Sequence, residues 1–191
     1  ITGNTAKRNG GGVYAGYSYG DEGGPIEHRP DGNNTLTTLN CTIAFNTANH
    51  AGGGIFASDT LVNLFNTIVS DNMALGTLSD LDGTTDGLFN AQYSLVQTTN
   101  GMLNVLSTHN ITGVSAQLLP LANNGGPTLT LRPKLTSPVL RAGSLSLLTP
   151  DMTTDQRGGP RTAFGTVDIG AVEIVPNYVM RRGWGVFIYP T

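Results

Sequence analysis

The chain has 191 residues, of which 38% are hydrophobic and 12% charged, with 26 glycines and a formal net charge of -3. That balance offers no basic stripe for nucleic acid, and no run of 18 apolar residues is present to span a membrane as a helix. Cys41 is the one cysteine, which excludes an intrachain disulfide and a multi-cysteine metal site.

The first segment is a repeat. Ile1–Ala15 reads ITGNTAKRNGGGVYA, and Ile43–Ala57 reads IAFNTANHAGGGIFA at an offset of 42. A shorter echo, VSDNMA (Val69–Ala74), follows at a further offset of 26. A unit this short cannot bury its apolar side alone, so it stacks on its neighbours and signals a solenoid. Because the chain opens inside a repeat, we expect a processed product, an excised piece or the ordered part of something longer. The first interval exceeds the second by 16 residues, and the excess falls within Gly16–Asn34, GYSYGDEGGPIEHRPDGNN. This polar, Gly- and Pro-rich stretch reads as an extruded surface loop. It carries the densest charge of the chain, and Glu27, His28 and Arg29 are expected to serve a contact surface rather than an acid/base or metal site.

Short strands are expected at Thr35–Leu39, Asn40–Ala44, Leu61–Phe65, Thr67–Ser70 and Tyr93–Val96, each mixing β-branched or apolar residues with Thr and Asn. No helical period of ten or more residues is evident. Ile43, Phe45, Leu64, Val69 and Cys41 are the candidate core. Asn4, Asn46 and Asn72 each precede an x-Ala step. They are expected at sharp corners, where Asn tolerates a left-handed backbone and identical side chains can hydrogen-bond along a stack. Asp80, Asp82 and Asp86 in SDLDGTTDG form an incomplete calcium pattern without a distal Glu, and a solvated turn is the plainer reading. No other cofactor is indicated. His28, His50 and His109 lack metal-binding spacing.

Beyond about Gly113 the texture changes. We divide the chain into stacked coils over 1–120 with the loop insertion at 16–34, a terminal region and cap over 121–173, and a basic then aromatic tail over 174–191. Asp155, Arg157, Asp168 and Glu173 read as a charge-paired cap that closes an apolar end, rather than as a catalytic carboxylate pair. In the tail, Trp184, Val186 and Ile188 alternate with Phe187 and Tyr189, a pattern suited to a strand buried on both sides. That strand pairs with a neighbouring subunit or folds back on its own chain.

The segments NTIVSDN (66–72), SDLDG (79–83), YSLV (93–96), PLANNGGPTLTL (120–131), SPVLRAG (137–143), TTDQRGGPR (153–161) and VDIGAVE (167–173) resemble, in order, a known group. They are similar to bacterial surface proteins with polymorphic-outer-membrane-protein-type repeats and a choice-of-anchor Q domain. The resemblance implies an all-β, right-handed parallel β-helix of the pectate-lyase-like kind, export from the cell, and a place at or beyond the outer surface. Arg141 departs from it, standing where the family-like SPAIDAG has an acid. Together these readings point to a non-catalytic extracellular structural or adhesive protein. Its expected partners are other copies in a head-to-tail filament, or a cell-surface or carbohydrate ligand. The alternatives are a carbohydrate-active enzyme (lyase or hydrolase) and a carbohydrate-binding module.

Overall fold

The computed structural model describes residues 1–16, 34–84 and 88–175, together with the backbone of two further strands, 177–180 and 186–189. Apart from one 3-10 turn at Leu145–Leu147, the regular structure among the described residues is strand. The strands are β1 (Thr5–Ala6), β2 (Val13–Ala15), β3 (Thr35–Leu39), β4 (Thr42–Ala44), β5 (Thr47–Ala48), β6 (Ile55–Ala57), β7 (Leu61–Phe65) and β8 (Ile68–Ser70). They continue as β9 (Met73–Ala74), β10 (Thr77–Leu78), β11 (Leu81–Gly83), β12 (Phe89–Gln92), β13 (Leu95–Val96), β14 (Ile111–Thr112), β15 (Asn177–Met180) and β16 (Val186–Tyr189).

The repeat offsets appear directly as strand register. Thr5 pairs with Thr47 and Thr47 with Met73, and Val13 pairs with Ile55 and Ile55 with Leu81, all in parallel. Two further parallel sheets run β3-β7-β12 and β4-β8-β13-β14. Only β10, at the edge of the β1-β5-β9 sheet, runs antiparallel to its neighbour within these four sheets. The connection from β2 to β3 has 19 residues, whereas the equivalent connection from β6 to β7 has three, Ser58–Thr60. The difference equals the 16-residue excess read from the sequence. Most of the longer connection, residues 17–33, lies outside the described residues.

Period-two alternation sorts the side chains. Ile43, Ile55, Val62, Leu64, Val69, Leu81, Phe89, Ala91 and Val96 point inward to one core. A second cluster lies on the other side of the β4-β8-β13 sheet, where Ala44, Ile68 and Leu95 meet Ala116, Leu118, Leu131, Val139 and Ile169. That sheet is therefore buried on both faces. Segments of the 121–173 region, with Ala116 and Leu118 just before it, lie along this flank. Ala171 N–H donates to Thr42 Oγ1 at 3.0 Å, Gly170 N–H to the Asn66 carbonyl at 2.8 Å, and Ala116 N–H to Ser70 Oγ at 3.0 Å.

The corners correct four expectations. The left-handed residue is not the repeated Asn but the one before it: Gly3, Phe45 and Asp71 have φ of 69°, 56° and 59°. Phe45 is thereby turned outward and is exposed rather than core. A second set of corners places Asn40, Asn66, Tyr93 and His109 at positive φ. Strands expected to begin at Asn40, Thr67 and Tyr93 therefore start one or two residues later, and Cys41 is half-buried at a corner instead of packed in the core. At the glycine triplets, backbone passes against backbone. A side chain on Gly53 would collide with the main chain of Met73, and one on Gly11 with that of Gly53 and Thr47.

Candidate functional site

Three polar arrays are built on this frame. The first is an amide ladder inside the corner before β5 and β9. Asn4 Nδ2 donates to Asn46 Oδ1 at 2.9 Å, Asn46 Nδ2 to Asn72 Oδ1 at 2.9 Å, and Asn72 Nδ2 to Asp80 Oδ1 at 2.8 Å. The same oxygens accept the backbone N–H of Asn4, Asn46 and Asn72. Asp80 ends the stack, and its Oδ2 accepts the Thr98 N–H at 2.8 Å. Burial drives its carboxyl up to about 6, against the pull of the Asn72 and Thr98 hydrogen bonds. A parallel series, Cys41, Thr67, Ser94 and Asn110, lines the next corner. Each of the last three accepts the backbone N–H of the residue one pass earlier.

The second array is the charge cluster of the flank. Asp155 Oδ2 accepts from Arg157 Nε and the Glu173 N–H, and Oδ1 accepts from the N–H groups of Arg157 and Gly159. Burial raises the Asp155 carboxyl, but these hydrogen bonds and the Arg157 charge outweigh it and leave it below the usual range. Asp168 binds the Arg141 and Ile174 N–H groups, both at 2.7 Å. Arg161, 2% exposed, donates to the Asp168 carbonyl and lies 3.5 Å from Glu173 Oε2. Burial pushes Glu173 up to about 7, and the neighbouring Asp168 adds to the rise. Glu173 Oε1 and Arg161 Nε are buried without a hydrogen-bond partner. The carboxylates are held by backbone N–H groups and arginines, which makes them structural anchors. Asp155, Arg157, Asp168 and Glu173 were legible in the sequence, whereas Arg161 stood there only as the end of TTDQRGGPR, with nothing to mark its burial.

The third array is external. On the outward side of β3, β7 and β12, register aligns Thr37 with Asn63 and Asn90, and Leu39 with Phe65 and Gln92. Asn63 Nδ2 donates to Thr37 Oγ1 at 3.3 Å, and Asn90 Nδ2 to Asn63 Oδ1 at 3.1 Å. Thr35 and Leu61 complete an outer row that is exposed. The signal for this face was present as polar residues at alternate positions in TLTTL, LVNLF and FNAQ. On β2, β6 and β11 the outward row is Tyr14, Phe56 and Asp82, with the two rings stacked at 5.6 Å.

Two of the three calcium candidates lie among the described residues. Asp80 is occupied by the ladder, Asp82 Oδ1 accepts the N–H of its own neighbour Gly83, and Asp86 lies outside the described residues. No group of three or more His, Cys, Asp or Glu among the described residues is placed to hold a metal ion. Glu27, His28, Arg29 and Trp184 also lie outside them. Val186, Phe187, Ile188 and Tyr189 form β16, which pairs antiparallel with β15, a local partner that the sequence reading did not supply. No helix among the described residues is long and apolar enough to cross a membrane. No family model, curated protein or solved structure matches the chain.

Proposed function

We propose that the chain is a right-handed parallel β-helix acting as a non-catalytic, extracellular structural or adhesive surface protein, whose copies join head to tail. The observation that carries this reading is the continuous ladder from Asn4 through Asn46 and Asn72 to Asp80, which ties successive passes into one stack. Stacked strands of this kind suit a rigid rod. The buried carboxylates support the same reading, because each is engaged by main chain or arginine rather than poised across a cleft. The β15-β16 pair supports the filament. It forms a sheet of two strands that joins no other strand of the described chain, and such a hairpin is marginal alone. Its open edges suit a strand of a second copy. No cofactor is needed for this role, and calcium is expected to leave the unfolding midpoint unchanged. Electron microscopy of the purified protein tests the assembly, with filaments as the expected result. Turnover of pectin, chondroitin or alginate would reverse the reading in favour of an enzyme.

A further inference from the structure

We propose that the outward face of β3, β7 and β12 binds a neutral polysaccharide chain. The inference rests on the adhesive reading above and names its ligand.

The face is uncharged. Thr35, Thr37, Leu39, Leu61, Asn63, Phe65, Asn90 and Gln92 contribute no acid or base, in a chain whose formal net charge is -3. An acidic glycan, a nucleic acid and an anionic membrane each call for cations that this face lacks. A second protein copy calls for a more apolar centre than a row of Thr and Asn. A neutral glycan needs hydrogen-bonding groups set beside an apolar strip for its ring faces, and the two rows provide both.

The central row is preorganised. Asn63 is held at both ends, donating to Thr37 Oγ1 and accepting from Asn90 Nδ2, so its amide plane is fixed along the stack. Each of these Nδ2 groups uses one proton within the ladder, and the second is directed away from that bond. Thr37, Asn63 and Asn90 thus set three polar groups, two of them amides, in a row at the strand spacing of about 4.8 Å. A sugar ring in an extended β-linked chain advances by a similar distance, so two successive rings can meet Asn63 and Asn90, whose amide oxygens face the row and the chain interior. The Leu39–Phe65–Gln92 row runs alongside, where the half-buried Leu39 and Phe65 supply the apolar strip for C–H packing. Fixing the amides before binding lowers the ordering cost that weak sugar hydrogen bonds otherwise leave uncovered.

The test is retention of the full chain on insoluble cellulose, β-1,3-glucan and xylan, with alginate as the acidic comparison. Retention is expected on at least one neutral polymer and not on alginate. Asn63→Arg should cut that retention about tenfold by removing the central amide and adding a charge. Thr37 is exposed, so Thr37→Arg gives a second probe of the same row with little risk to folding. Both variants should keep the wild-type circular dichroism and the wild-type assembly in electron microscopy. Failure of the wild type to bind any neutral polymer, or unchanged retention in both variants, overturns the proposal. Loss of filaments in the two variants without loss of retention also overturns it, by assigning the face to copy–copy contact. Filaments without glycan retention sink this inference and leave the structural reading standing, whereas cleavage of the polymer sinks that reading itself.

Discussion

Asn72 and Asp80 are eight residues apart, yet Asp80 takes the place that a residue a full pass later would hold, accepting from Asn72 Nδ2 at 2.8 Å. Asn46 and Asn72 make the same bond across 26 residues, at 2.9 Å. The short excursion through β10 thus ends the amide ladder on a carboxylate. A carboxylate accepts from Asn72 and Thr98 together, which an amide in the same orientation cannot do.

The ladder should be a main source of stability. Asn46→Ala removes a fully buried amide and leaves Asn72 Oδ1 with fewer donors and the Asn4 amide without its acceptor. We expect a loss of about 3 kcal/mol, read as a lowered denaturant midpoint. Thr5→Ala, on the exposed outer row beside it, should cost under about 0.5 kcal/mol.

Mild acid should stabilise the fold. The Asp80 carboxyl titrates at about 6 when folded, above the 3.8 of a free aspartate, so the folded chain holds this proton more tightly than the unfolded chain. Its contribution is complete below about pH 4 and is lost as the pH rises through about 6, an effect of about 3 kcal/mol. Glu173, raised from 4.5 to about 7, acts in the same direction over a slightly higher range. Asp155, held low, opposes them only in stronger acid. The thermal midpoint should therefore be higher at pH 5 than at pH 7.5. Asp80→Asn combined with Glu173→Gln should flatten that difference, and a midpoint that rises steadily toward neutrality in the wild type would contradict the assignment.

Arg161→Met tests the flank cluster. It leaves Glu173 buried without its counter-ion and the Asp168 carbonyl without its donor. A loss of about 3–5 kcal/mol is expected. Adding Glu173→Gln to Arg161→Met should recover part of it, because the stranded charge is then gone. Equal losses in the single and double variants would show that Arg161 acts by packing alone.

Shortening the 19-residue β2–β3 connection to the three-residue length of Ser58–Thr60 should leave the stack folded. Loop closure changes slowly with length, so the entropic term favours the short form by a small amount. Strand content by circular dichroism should be retained, and under the proposed head-to-tail assembly the loss of Glu27, His28 and Arg29 should reduce filament formation in electron microscopy. Truncation after Val175 removes the β15-β16 pair, which joins no other described sheet. A folded, non-assembling monomer is the expected product.

Much of the stack was legible because identical residues at a fixed offset need no tertiary information to be aligned. Thr35–Leu39 and Leu61–Phe65 were bounded correctly from alternation and turn residues alone. The corners were misplaced by one residue for a physical reason. Asn is the residue type most tolerant of positive φ after Gly, which drew the corner onto Asn46 and Asn72, but their amides are needed inside the stack. The positive φ falls instead on Phe45, whose side chain is exposed, and on Asp71, whose carboxylate accepts from Ser70 and Ser115. The flank was not legible, because its partners, Thr42 with Ala171 and Asn66 with Ser144, are 129 and 78 residues apart and share no pattern. The outer Thr37–Asn63–Asn90 row was visible as polar alternation, yet only register shows that its members touch.

The doubly covered β4-β8-β13 sheet has a kinetic consequence. Its outer layer emerges late from the ribosome and must find acceptors on several earlier passes at once: Thr42, Asn66 and Ser70. A one-residue slip in any pass would carry its acceptor away by about 3.3 Å and turn it to the opposite side. Such a slipped chain should show as a trypsin-sensitive population in which cleavage after Lys134 outpaces that of the native form. The late segment therefore works as a check on register, since its hydrogen bonds to Thr42, Asn66 and Ser70 form together only where the earlier passes are correctly aligned.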